Sequence, residues 1–179
     1  MATKTKLEEM FRRRGFTDFR WFDPKNIVVA HWVRMKCRFG CGEYGHSACC
    51  PPNTPPVEEC DRFFREYRRG AIFHFARAVD KPEDRFGWTK RVNLGLSKLE
   101  REVFLAGHVK AFLLFMDSCS FCAACTGDPA ACKDPRRARP AAEAMAVDVY
   151  STVLRAGFPI EVLSDYKQTM NRYAFLLID

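Results

Sequence analysis

The chain has 179 residues, 47% of them hydrophobic and 16 of them Phe, which suits a single domain, residues 1–179, that buries its core without covalent staples. Its net charge of +7 fits an anionic partner no better than it fits solvated basic runs at Arg12-Arg13-Arg14 and Arg136-Arg137-x-Arg139, and the aromatics sit inside apolar runs and not between basic residues, so nucleic acid is not the partner expected. The N-terminal segment is charged and unlike a secretory signal, and the longest clean apolar run, Ala111–Met116, is too short for a bilayer; a soluble cytoplasmic protein with no membrane partner is expected.

In chain order, Thr5-x-x-Glu8 reads as a capping box ahead of Leu7, Met10 and Phe11 at helical spacing, with Gly15 as the stop. Ile27–Met35 is β-branched and almost wholly apolar, which predicts a strand buried on both faces. Residues 37–56 are a loop rich in Cys, Gly and Pro. Pro55 or Pro56 opens a helix with Glu58 and Glu59 in its first turn and Val57, Cys60, Phe64 and Tyr67 on one stripe, ended by Gly70. Ala71–Val79 predicts a strand, residues 80–95 a polar connection, and Ser97-x-x-Glu100 a further helix ended by Gly107. Val109–Met116 predicts a strand that feeds a second cysteine loop. Pro140 opens a helix carrying Met145, Val149, Val153 and Leu154, closed by Gly157, and Ile160–Leu163 and Tyr173–Ile178 complete the strands.

Alternating strands and helices give an α/β fold with a mixed sheet flanked by helices. Both cysteine loops then follow the carboxyl end of a buried strand. If those strands are parallel, the loops emerge at one sheet edge, where open α/β sheets hold their ligands.

Nine cysteines in a reducing compartment, odd in number, argue for metal or redox chemistry over a disulfide framework. Cys119, Cys122, Cys125 and Cys132 follow C-x2-C-x2-C-x6-C spacing. Zinc sites are usually assembled from two separated short pairs, whereas serial C-x2-C-x2-C wraps a larger object and suits a 4Fe–4S cluster. Ala123, Ala124 and Gly127 let the backbone approach the sulfurs, and Arg136, Arg137 and Arg139 with a helix start at Pro140 would suit an anionic cluster. Zinc is the alternative cofactor. In the first loop Cys37, Cys41 and Cys50 are the candidate ligands, with Cys49, Cys60, His46 or no protein group at the fourth position. Cys60 lies on an apolar helical stripe and reads as a core residue. A site with three protein ligands keeps a position open for water or substrate. His31 and His74 fall inside predicted strands, His108 at a helix end, and Asp117 and Asp148 read as loop and cap residues. One or two 4Fe–4S clusters are therefore expected. Electron transfer to a redox partner protein is the first function, and an enzyme acting on a small molecule at the open position the second. A zinc-stabilised interaction protein is the third.

Two blocks carry a family resemblance. One is Cys37, Cys41, Tyr44-Gly45 and Cys50-Pro51-Pro52. The other is Cys119-x2-Cys122-x2-Cys125 with Cys132-x2-Pro135, Arg139-Pro140, Glu143-Ala144 and Val147-Asp148-Val149. Together they resemble the domain-of-unknown-function family of predicted metal-binding proteins, common in anaerobic bacteria and archaea. The resemblance implies metal binding, with iron–sulfur expected and no settled reaction. It implies three ligands from the first block, matching Cys37, Cys41 and Cys50, and leaves Cys49 and Cys60 as peculiarities of this chain. The Cys37-x3-Cys41 spacing is one residue wider than the family's usual C-x2-C.

Overall fold

The computed structural model describes residues 1–165 and 167–179. Its centre is a four-stranded sheet made of β1 (Phe19–Phe22), β2 (Gly70–Arg77), β3 (Phe112–Leu114) and β4 (Met170–Leu177), in the order β1-β2-β4-β3. The central pair β2 and β4 are in register from Gly70↔Leu177 to Arg77↔Met170. Successive side chains of a strand point to opposite faces, and both faces are covered. Phe73, Ala174, Leu176 and Leu113 meet Leu7 and Phe11 of helix α1 (Lys4–Arg13) and, from the long helix Asp84–Leu105, Leu96, Leu99 and Val103. On the other face Ile72, Phe175 and Leu114 meet Cys60, Phe64, Met145, Val153 and Phe158. The result is the α/β class expected.

Every strand pairing is antiparallel among the described residues. The one parallel element is an isolated bridge between Phe115 and Ala141. The continuous apolar runs that suggested parallel strands report burial on two faces, which helices impose here on an antiparallel sheet; they say nothing of strand direction.

Several local expectations change. Ile27–Met35 is not a strand. Asp23 caps a 3₁₀ turn at Pro24–Asn26, Val29 bridges Val147, and helix α2 runs from His31 to Gly40. Val33 is buried while Trp32 and Met35 are exposed, so the run joins an irregular stretch to a helix that buries Val33; short apolar runs do not distinguish the two periods. Helix α3 (Val57–Arg65) buries Val57, Cys60 and Phe64 as the stripe predicts, but stops before Gly70, which opens β2. The long helix, α4, starts at Asp84, well before Ser97. Trp88, Leu96, Leu99 and Val103 form one buried stripe along it, and Ser97 and Glu100 are interior positions, not a cap. Thr3 caps α1 in place of Thr5, accepting from the Lys6 N–H at 3.3 Å, while Gly15 ends it with φ 81°. No helix opens at Pro140. A 3₁₀ turn at Glu143–Met145 is followed by Ala146 in the left-handed region (φ 59°), and helix α5 (Val149–Arg155) starts only after Asp148 caps it. Leu154 is exposed, and Ile160–Leu163 forms no strand.

No described helix is long and apolar enough to cross a membrane.

Candidate metal centre

The first cysteine set is built on a helix. Cys37 lies in the last turns of α2 and Cys41 is the residue that ends it. Four residues apart is one helical turn, so the two side chains fall on one face; this gives the wide Cys37-x3-Cys41 spacing a physical meaning. α2 is held against the Glu143–Met145 turn from both ends. The Ala30 N–H donates to Ala146 O at 2.9 Å, and the Cys37 Sγ lies 3.9 Å from Glu143 O. Arg34 extends the clamp, donating to Thr54 Oγ1 at 2.7 Å and to Pro55 O at 3.0 Å, while Thr54 donates to Ala144 O at 2.9 Å.

Cys50 joins this set. Burial pushes its thiol up to about 11, a Ser47 hydrogen bond partly opposes that, and the nearby Glu43, Cys41 and Cys37 charges add to it. Burial also raises Cys37, with Cys41 next in effect. Neighbouring thiols lose their protons together most readily when a cation sits among them.

The second set lies on the irregular segment after β3. Cys119 lies beside the Cys49 thiol and near the backbone N–H groups of Phe121 and Arg139. The net effect pulls its thiol down, with the Cys49 contact the largest cause and burial opposing. Cys125 accepts from the Ala48 N–H at 3.3 Å. Backbone donors on sulfur are what a metal-bound thiolate uses. Cys49, Cys119, Cys122, Cys125 and Cys132 line one small cavity with Ser47, Phe121 and Asp134.

Cys49 and Cys50 are therefore parted. Cys50 feels the charges of Cys41 and Cys37, whereas the Cys49 thiol is raised first by its contact with Cys119 and then by burial. Cys49 and Cys50 both lie in a turn, where the Cys50 N–H donates to Ser47 O at 3.2 Å, and one peptide bond joins a member of each set. What lies opposite Cys49 is not readable in the sequence, because Cys119 is far along the chain.

The loops meet although the parallel-strand argument for their meeting does not hold. Asn53 Nδ2 donates to Gly127 O at 2.7 Å and to Ser47 O at 3.1 Å. Gly127, at φ 72°, packs its Cα side against the Gly45 carbonyl.

Other expected groups stand apart. Cys60 is fully buried in the second core cluster, donating to Pro55 O at 3.5 Å. His46 is exposed. His31 pairs with Glu58 at 3.2 Å. His74 lies between Asp18 at 2.6 Å and Asn171 at 2.8 Å, and buried His108 faces Asp179 at 2.6 Å. Asp148 caps α5, accepting from the Ser151 N–H at 3.0 Å. Asp117 pairs with Arg85 at 3.4 Å. Arg139 turns its guanidinium to Glu100 at 2.8 Å and Arg137 pairs with Asp134, so the basic run gives the second set a backbone N–H more than a free charge.

Among the described residues no three Cys, His, Asp or Glu side chains converge closely enough to grip a single metal ion. The thiols surround spaces instead. By donor chemistry both sets fit a thiolate-ligated group, the first with three cysteines and the second with five.

An α/β fold with its cysteines gathered into two thiol sets is the frame of a metal-binding protein. The family described as predicted metal-binding protein (DUF2284) matches residues 20–178, and the chain belongs to that family. No curated protein and no solved structure matches it.

Proposed function

We propose that the protein holds two iron–sulfur centres, each a 4Fe–4S cluster, and acts in redox chemistry. The observation that carries this reading is the division of eight cysteines, all but Cys60, into two sets on either side of the Cys49–Cys50 peptide. Cys119, Cys122, Cys125 and Cys132 would ligate one centre, with Cys49 donating its S–H to Cys119. Cys37, Cys41 and Cys50 would hold the other, leaving a fourth position without a cysteine. A tetrahedral zinc ion needs four donors converging at about 2.3 Å for sulfur, and a cubane needs them spread around its corners; the spacing of both sets supports the second arrangement. When bound, such clusters supply one-electron chemistry. The chain's part is to fix the sulfurs, donate N–H groups to them and keep the two centres adjacent, an arrangement that suits electron transfer to a partner protein.

Anaerobic reconstitution tests this. About eight iron and about eight sulfide per chain, with an EPR signal on reduction, are expected for two clusters. Stoichiometric zinc with no broad visible absorbance overturns it.

A specific observation favours a second reading, an enzyme that uses the open position of the three-cysteine set. A cavity of about 380 Å³ has Cys37 and Cys41 in its wall. The second set lines no cavity of that size. A reduced EPR signal that changes shape when a small ligand is added separates this reading from simple electron transfer.

A further inference from the structure

The cavity beside Cys37 and Cys41 lies between α2, the Glu143–Met145 turn and the start of β4. Its volume falls in the range of small-molecule sites. Most of its wall is apolar, with Val33, Val147, Ile160, Leu163 and Met170 contributing. Against that wall stands Arg172. It is half-buried on a central strand, a rigid position for a side chain that binds. Among the described residues its guanidinium has neither a carboxylate at ion-pair distance nor a hydrogen-bond acceptor, and it feels Glu143 only at longer range. A guanidinium has five N–H donors in a planar fork that matches a carboxylate in two parallel hydrogen bonds. Lys36, exposed at the rim over Trp32 at 5.2 Å, adds positive potential.

Two carboxyl groups, Glu143 and Glu161, also line the cavity. They oppose a dianion such as phosphate more strongly than a monoanion. The apolar wall asks for a hydrocarbon body rather than a bare ion. We infer that the cavity binds a small organic monocarboxylate, its carboxylate on Arg172 and its apolar body along the wall that ends at Cys37 and Cys41. This deepens the enzyme reading of the three-cysteine set and rests on it for its purpose, but the binding event itself can be measured separately.

Calorimetric titration of the reconstituted protein with benzoate, benzamide and phenyl phosphate tests the inference. Benzoate should bind saturably, with benzamide roughly tenfold weaker or more through the loss of one charge-assisted contact, and phenyl phosphate weaker through repulsion of its second charge by Glu143 and Glu161. Arg172→Gln should weaken benzoate about tenfold and leave benzamide nearly unchanged, while Arg172→Lys retains part of the preference. Equal binding of benzamide, tighter binding of phenyl phosphate, no effect of Arg172→Gln on benzoate, or no saturable binding of benzoate each overturns it. EPR of the same samples separates the two ideas. Saturable, Arg172-dependent benzoate binding with an unchanged cluster signal supports the carboxylate site and counts against the enzyme reading.

Discussion

The two cysteine sets are made by opposite means. Cys37 and Cys41 ride on a helix that Arg34, Thr54 and the Glu143–Met145 turn already hold in place, and they border a cavity large enough for a substrate. Cys119, Cys122, Cys125 and Cys132 sit on a segment with no helix or strand, which takes its shape from N–H···S contacts and from the neighbouring loop. Regular structure positions Cys37 and Cys41 without a bound group, so the proposed centre there could leave one side open. Where the sulfurs shape the loop, a bound group would be part of the folding.

That contrast predicts the largest effects. Cys122→Ser and Cys37→Ser should each remove about half of the iron bound on reconstitution, by loss of one cluster. They should differ in folding. Cys122→Ser is expected to open residues 117–139 to limited proteolysis, whereas Cys37→Ser creates no new cleavage near α2. The reverse pattern would break the comparison.

Glu100 gives a more selective probe of the second set. Buried in α4, it accepts from the Leu113 N–H at 3.0 Å and from Arg139 Nε at 2.8 Å, and the Arg139 backbone lies near Cys119. Glu100→Ala leaves one buried and one partly buried donor unpaired and should cost about 3 kcal/mol by urea denaturation, with the proposed second cluster lost more readily than the first. Burial raises the Glu100 carboxyl, and Arg139 lowers it less. A carboxyl raised in the folded state holds its proton more tightly than the unfolded chain does. Its contribution is therefore fullest below the ordinary value of 4.5 and declines as pH rises from there through the raised folded value. Glu100→Gln should lack that decline; parallel pH profiles of wild type and variant would refute the shift.

How much of this was legible in the sequence varies with the range of the interaction. The α3 stripe, the β2 and β4 runs and the glycine stops at Gly15, Gly107 and Gly157 were readable because local period and positive φ are local properties. Strand direction was not, since two-sided burial reads the same for either. α2 was mistaken because its apolar face fits within three turns. The first half of α4 was hidden by Gly87, Gly95 and its charges, although Trp88, Leu96 and Val103 share one face. Cys37, Cys41 and Cys50 form a motif in the sequence, and the structure places Cys37 and Cys41 one helical turn apart. The place of Cys49 was not readable, because it depends on which remote loop lies opposite.

The seam between the sets should respond more mildly than either centre. Asn53 ties the Ser47 backbone to the Gly127 backbone. Asn53→Ala should cost about 1–2 kcal/mol and loosen both loops together, read as a parallel fall in the retention of both clusters during chelator challenge. Loss confined to one cluster would mean that the loops are positioned independently, and that the Cys49–Cys50 peptide is not a coupling between them.

The smallest effect expected is also the one that discriminates most finely between the sets. Cys49 precedes Cys50 directly, yet its thiol contacts Cys119 and not Cys37 or Cys41. If it donates a hydrogen bond to a ligating sulfur, Cys49→Ala keeps the iron count and removes one donor. A thiolate stripped of a donor is more electron-rich, so the second cluster becomes harder to reduce. One net hydrogen bond corresponds to roughly 20–60 mV for a one-electron couple. Cys49→Ser, which retains a donor, should recover most of that shift. Redox titration followed by EPR reads both variants against the unshifted first cluster. Loss of half the iron in Cys49→Ala would make Cys49 a ligand and the second set a choice of four among five. A shift in the first cluster alone would put Cys49 back with Cys50 and erase the division on which the two-centre reading rests.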